Sequence, residues 1–161
     1  MATRPTHHES KLQIQCVTWL KYQYPHLAPL FFAVPNGGSR NAREAAIMKA
    51  EGVTAGVSDL ILNIPSGRYT QLDIEMKDGS SQSAAQKRYQ RYAEAVGIMY
   101  VVCKSFEVFQ CTVQNYLDSV NPAILESLET IYREEKRAEV EEARRQYRKR
   151  CNTPCKEQFL M

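Results

Sequence analysis

Polar and apolar residues alternate along residues 69–77, the period of a strand with one face on a core. Leu72, Ile74 and Met76 point one way, and Gln71, Asp73, Glu75 and Lys77 the other. Glu75 and Lys77, two positions apart, therefore stand side by side on one face. Residues 56–64 are almost wholly apolar except near their start, which predicts a buried strand carrying one acid, Asp59. The intervening Pro65-Ser66-Gly67 predicts a turn that makes the two strands an antiparallel hairpin.

Helical spacing rules the flanks. From Glu9 onward, Glu9, Gln13, Cys16, Val17 and Leu20 share one stripe, with Leu12 and Trp19 alongside, and Tyr24-Pro25 closes the helix. Residues 30–34 read as a short strand ended by Pro35-Asn36-Gly37-Gly38, after which a capping box from Asn41 to Glu44 opens a helix that Gly52 ends. A second capping box, Ser83-x-x-Gln86, opens a helix with Gln86, Tyr89, Gln90, Ala93 and Val96 on one side and Lys87, Arg88 and Arg91 on the other. Residues 97–103 form a continuous apolar run that predicts a buried strand, and Ser105 caps a helix whose Phe106, Phe109, Val113 and Leu117 recur at helical intervals. Asn121-Pro122 starts a long helix reaching about residue 150, in which a thin apolar line of Leu125, Leu128, Ile131 and Tyr132 fades into mixed charge. Alternating helices and strands in this order predict an α/β fold.

Chemistry concentrates on the charged face of residues 69–77. An acid on one strand and Glu-x-Lys on its neighbour make a site for a hard divalent cation such as magnesium, which takes carboxylate oxygens and acidifies water. Lys77 then holds that water or offsets phosphate charge. A half-exposed strand with a charged solvent face is the competing reading. Glu9 lies on the stripe that the core residues define, where a carboxylate is costly unless a partner such as a metal offsets it. The helix dipole also favours an acid in that first turn. Gln86 either caps its helix or reaches the site. The glycines after Asn36 allow backbone to approach a ligand, and Arg40 follows them, so Asn36 and Arg40 are candidates for phosphate contact. Lys87, Arg88 and Arg91 are candidates for a phosphate backbone.

Composition narrows this only slightly. With 161 residues, a net charge of +3 and pI ≈ 8.6, the chain has room for one domain and a balance that permits nucleic-acid binding without requiring it. Five cysteines, with no stretch resembling a secretory signal or membrane span, predict reduced thiols in a cytoplasm. Cys16, Cys103 and Cys111 read as small core residues; Cys151 and Cys155 lack the second ligand pair that zinc needs. The basic run Arg144, Arg145, Arg148, Lys149 and Arg150 reads first as a solvated helix face, with phosphate binding or pairing with a second subunit as alternatives.

Taken in order, Glu9-x-x-x-Gln13, Pro35-Asn36-Gly37-Gly38, Gly56-Val57-Ser58-Asp59, Glu75-Met76-Lys77 and Ser83-x-x-Gln86 resemble the virus-type replication-repair nuclease (VRR-NUC) domain of the restriction-endonuclease-like, PD-(D/E)XK, superfamily. The resemblance covers about residues 9–117. It implies a mixed central sheet flanked by helices, residues 9–118 as the nuclease domain, and a charged helical extension over residues 119–161 after a loose N-terminus at 1–8. It casts Glu9, Asp59, Glu75 and the Met76 carbonyl as Mg2+ or Mn2+ ligands, Lys77 as the cation that positions the nucleophile, and Gln86 as the family's helix glutamine. It further implies a homodimeric DNA endonuclease acting on branched DNA such as four-way (Holliday) junctions, with no membrane partner. A DNA-structure-binding module with an inactive site and a phosphoesterase acting on a small molecule are the alternatives. Ser58 departs from the pattern, standing where relatives often carry proline.

Overall fold

The computed structural model describes residues 7–35 and 42–151. Four strands form one mixed sheet in the order β1 (Phe31–Ala33), β2 (Leu60–Leu62), β3 (Leu72–Met76) and β4 (Met99–Cys103). The pairs β1/β2 and β2/β3 run antiparallel, the second as Pro65-Ser66-Gly67 predicts. β3 and β4 run parallel, with Asp73 beside Tyr100 and Glu75 beside Val102. A parallel neighbour requires a crossover, and helix α3 (Ala84–Ala95) supplies it.

One face of the sheet carries the apolar core. Phe31, Leu60, Leu62, Leu72, Ile74 and Met76 pack with Cys16 and Leu20 of α1 (His7–Gln23), and with Phe109, Val113 and Tyr116 of α4 (Phe106–Leu117). Trp19 sets its ring edge-on to Tyr24, Phe106 and Phe109, at centroid distances of 5.8, 6.1 and 5.9 Å. Such edge-to-face pairs add about 0.5–1.5 kcal/mol each beyond burial. The short 3-10 turn Pro25–Leu30 begins where proline stops α1 and delivers the chain into β1.

Several expectations need correction. The face of β3 bearing Asp73 and Glu75 is not half-exposed: both residues are 0% exposed, because α3 lies over that side. Regular β2 is three residues long rather than nine. Gly56 has φ +89°, outside the strand region, and packs against Ala85 and Gln86 of α3 before the ladder begins. Cys111 is exposed, unlike Cys16 and Cys103. Val96 and Ile131 are also exposed, Val96 because it is the residue at which α3 stops. Helix α2 (Ala42–Ala50) leaves most of its side chains exposed, Ile47 among them. The expected cap Asn41 and the candidates Asn36 and Arg40 lie outside the described residues, as does Cys155.

Helix α5 (Pro122–Cys151) has two parts. Its first turns press Ile124, Leu125 and Leu128 onto the core. From Arg133 to Arg150 every residue is exposed. Local ion pairs accompany that stretch, Arg133 with Glu129 at 2.7 Å and Lys136 with Glu139 at 2.6 Å, each worth only a few tenths of a kcal/mol.

Gly56 is the tightest contact between the loop and α3. A Cβ there would lie 2.4 Å from the Ala85 carbonyl carbon and 2.7 Å from the Gln86 nitrogen, both backbone atoms that cannot swing aside. Gly56→Ala therefore loses more than about 2 kcal/mol, combining left-handed strain with displacement of α3. Chemical denaturation measures this, and an unchanged midpoint would show that the loop does not press on the helix.

Candidate functional site

The C-terminal end of β3 gathers groups from four distant parts of the sequence. Lys77 follows the strand directly, its backbone N–H donating to the Cys103 carbonyl at 2.8 Å, so the alternation carries its side chain to the same face as Glu75. Its Nζ lies 2.9 Å from Glu75 Oε1 and 3.8 Å from Glu9 Oε1, from the first turn of α1. Asp59, just before β2, accepts the Met76 backbone N–H on Oδ2 at 2.8 Å. That bond locks the acid of one strand to the chain segment between Glu75 and Lys77.

Gln86 fulfils both roles open to it. Its Oε1 accepts the Ser83 backbone N–H at 2.8 Å, while Ser83 Oγ accepts the Gln86 N–H at 3.2 Å, completing the capping box. Its Nε2 donates to Glu75 Oε1. Helix start and site are thus built by one amide.

Sequence reasoning missed the polar layer behind these groups. Tyr100 donates from its hydroxyl to Glu75 Oε2 at 3.1 Å. Asp73, one step back along the same face, accepts from Tyr89 at 2.7 Å and from Gln71 Nε2 at 2.7 Å. Gln82 links Gln90 and Tyr100 at 2.9 and 3.5 Å, the latter at the limit of a hydrogen bond. Two acids on one face of a strand demand donors, and the tyrosines of the next helix and strand were the available signal.

Charge sets the chemistry. Burial holds the Glu75 carboxyl above the usual carboxylate range, and the charge of Asp59 adds to this against the opposing pull of Lys77. Glu9 is raised for the same leading reason, desolvation, with Asp59 and Asp78 adding repulsion and Lys77 opposing it. Burial pulls the Lys77 ammonium down, but its hydrogen bond to Glu75 and the charges of Glu75, Glu9 and Asp59 outweigh this and leave it raised. Asp59 therefore acts on all three groups, so Glu9, Asp59, Glu75 and Lys77 form one electrostatic unit. Three acids against one cation leave −3 + 1 = −2 when all are ionised.

No three His, Cys, Asp or Glu side chains among the described residues form a ready-made metal cluster as they stand. Glu75 instead gives its oxygens to Lys77, Gln86 and Tyr100. Nearby, Ser58 Oγ is fully buried without a hydrogen-bond partner, a cost that a proline at this position would not carry. Lys87, Arg88 and Arg91 are all exposed on α3. Among the described residues no helix is long and apolar enough to cross a membrane.

A mixed four-stranded sheet with flanking helices and a Glu-x-Lys at the end of its third strand defines a restriction-endonuclease-like fold. A solved structure described as a VRR_NUC domain protein superposes with a TM-score of 0.62 at 30% identity, over 74% of this chain and 94% of that one. The chain belongs to the VRR-NUC family, a family of nuclease domains. Neither a family model nor a curated protein matches the sequence.

The raised Glu9 carboxyl has a consequence for stability. Its protonated form favours the fold, a contribution present below the ordinary value of 4.5 and lost as pH rises through the raised folded value. Glu9→Gln cannot ionise, so it melts above the wild type at pH 7, and the gap closes as pH falls below 4.5. Solvent screening keeps the gap small. Scanning calorimetry at both pH values tests the sign, which a lower melting temperature at pH 7 would reverse.

Proposed function

We propose that the chain is a metal-dependent DNA endonuclease that hydrolyses phosphodiester bonds. The observation that carries this reading is the meeting of Glu9, Asp59 and Glu75 with the Lys77 ammonium at one strand end, three carboxyl groups around one cation. An all-oxygen donor set of this charge fits Mg2+ or Mn2+ better than a soft metal. Glu9, Asp59 and Glu75 would hold the ion, with the Met76 carbonyl as a further oxygen. When bound, it supplies Lewis acidity toward water and neutralises charge on the phosphate.

The protein's own groups divide the remaining work. Lys77, anchored by Glu75 at 2.9 Å, presents a fixed cation toward the attacking water or the phosphate. Gln86 and Tyr100 hold Glu75 in place from two sides, which keeps its carboxylate oriented when Lys77 turns to substrate. Lys87, Arg88 and Arg91 face solvent on the helix that carries Gln86 and meet the DNA backbone. The reading extends to a homodimer whose two sites act on the symmetric strands of branched DNA such as a four-way junction.

Incubation with a panel of flap, four-way junction, single-stranded and duplex DNA, with and without Mg2+ or Mn2+, tests the activity. Cleavage appears only with metal and is strongest on a branched substrate. Lys77→Ala lowers the cleavage rate by about 100- to 1,000-fold while DNA binding persists. Normal cutting by that variant removes Lys77 from the mechanism. DNA retention without cutting under either metal by the wild type marks a binding module instead.

A further inference from the structure

Beside Arg88, the outer side of α3 carries an exposed ring and a cleft that the nuclease reading leaves unused. Tyr92 is 66% exposed, and the Arg88 guanidinium lies over its ring, 5.8 Å from the centroid. Beside them is a pocket of about 260 Å³ walled by Thr54, Ala55, Ala85, Arg88, Tyr89 and Tyr92. Positions 85, 88, 89 and 92 recur at helical spacing, so one face of the helix meets the loop that leads to Asp59.

We infer that this pocket receives an unstacked nucleobase of the DNA substrate, with Tyr92 as its stacking surface and Arg88 as the cation for the adjoining phosphate. An exposed aromatic alone means little. Here its ring adjoins a cleft smaller than the 300–1,000 Å³ typical of drug-sized ligands, and a single base is smaller than such ligands. Arg88 puts a guanidinium on the pocket wall itself, a charge that calls for an anion, while Lys87 and Arg91 are exposed elsewhere around the helix. A nucleotide with its base turned out supplies both a flat π-face and a phosphate, whereas a peptide side chain rarely supplies both. Thr54 adds a polar edge: its hydroxyl donates to the Gly52 carbonyl at 3.3 Å, which leaves its oxygen as an acceptor for a base N–H.

The pocket's position bears on what the site selects. Ala85 forms part of its wall and is followed at once by Gln86, which grips Glu75. A base held there places its strand beside the acids. Unpaired or easily unpaired bases occur at branch points and ends, so the pocket would favour such DNA over continuous duplex, because extrusion from an intact stack costs a few kcal/mol. This inference rests on the nuclease reading and names a substrate subsite for it.

The test compares Tyr92→Ala and Tyr92→Phe, each in the slow-cleaving Lys77→Ala background with Mg2+ present. The probes are a continuous duplex and a flap of the same sequence carrying 2-aminopurine at the branch. Tyr92→Ala weakens flap binding by about 5- to 100-fold, leaves duplex binding nearly unchanged and abolishes the change in 2-aminopurine fluorescence that accompanies binding. Tyr92→Phe, which keeps the ring, behaves as the parent does. Equal losses on the two DNAs, no loss on either, or a fluorescence response that survives Tyr92→Ala overturns the stacking subsite while leaving the nuclease intact. Failure of the parent to bind any DNA overturns both readings.

Discussion

Two carboxylates, Asp73 and Glu75, sit on one face of β3 with no exposure to solvent, and everything on that side of the sheet answers to them. Removing a carboxylate from water is affordable only where hydrogen bonds or an opposite charge replace the lost solvation. Asp73 finds Gln71 and Tyr89; Glu75 finds Lys77, Gln86 and Tyr100. Three of those partners belong to α3 or β4, so the helix and the parallel strand cannot shift without stranding a buried charge. The β3–β4 register, which sets Tyr100 beside Asp73 with Glu75 two residues on, follows the same requirement.

This arrangement separates what the strand needs from what a reaction needs. Asp73 has donors for both oxygens and lies one pleat deeper, which makes it structural. Glu75 shares an oxygen between Lys77 and Gln86, and burial, with repulsion from Asp59 added, holds the carboxyls of Glu75 and Glu9 above their ordinary range against the pull of Lys77. Perturbed groups clustered at one strand end make this the candidate site of a chain that belongs to a nuclease-domain family.

Much of the fold was legible because periodicity reports direction. Alternation along residues 69–77 assigned Glu75 and Lys77 to one side, and the capping boxes and prolines placed the helix starts within a residue or two. Periodicity does not report what covers the second side, so the burial of Asp73 and Glu75 was invisible until α3 was placed. The same limit explains Cys111 and Val96: each fits an apolar pattern, yet one faces outward on α4 and the other falls where α3 ends. The nearness of Glu9 to Lys77 came from the family's motif order, since no local pattern relates the start of α1 to the end of β3. Ser58 shows the reverse case, a visible departure whose cost, a buried hydroxyl without a partner, only the structure exposes.

Helix α3 joins these levels. Its inner face is pinned at Gln86 and Tyr89 by the buried acids, and its first turn is pinned again by the capping box and by Gly56 against Ala85. Successive helical residues are about 100° apart, so a slip of one residue would turn Gln86 and Tyr89 off the carboxylates and carry Arg88 and Tyr92 away from the loop. The inner hydrogen bonds therefore fix the outer surface as well. The surface bearing Arg88 and Tyr92 is therefore held at a constant offset from Glu75 and Lys77, with no hinge between them. On the proposed nuclease reading, such rigidity would pass a surface contact on to the acids at the end of β3, where small displacements are expensive.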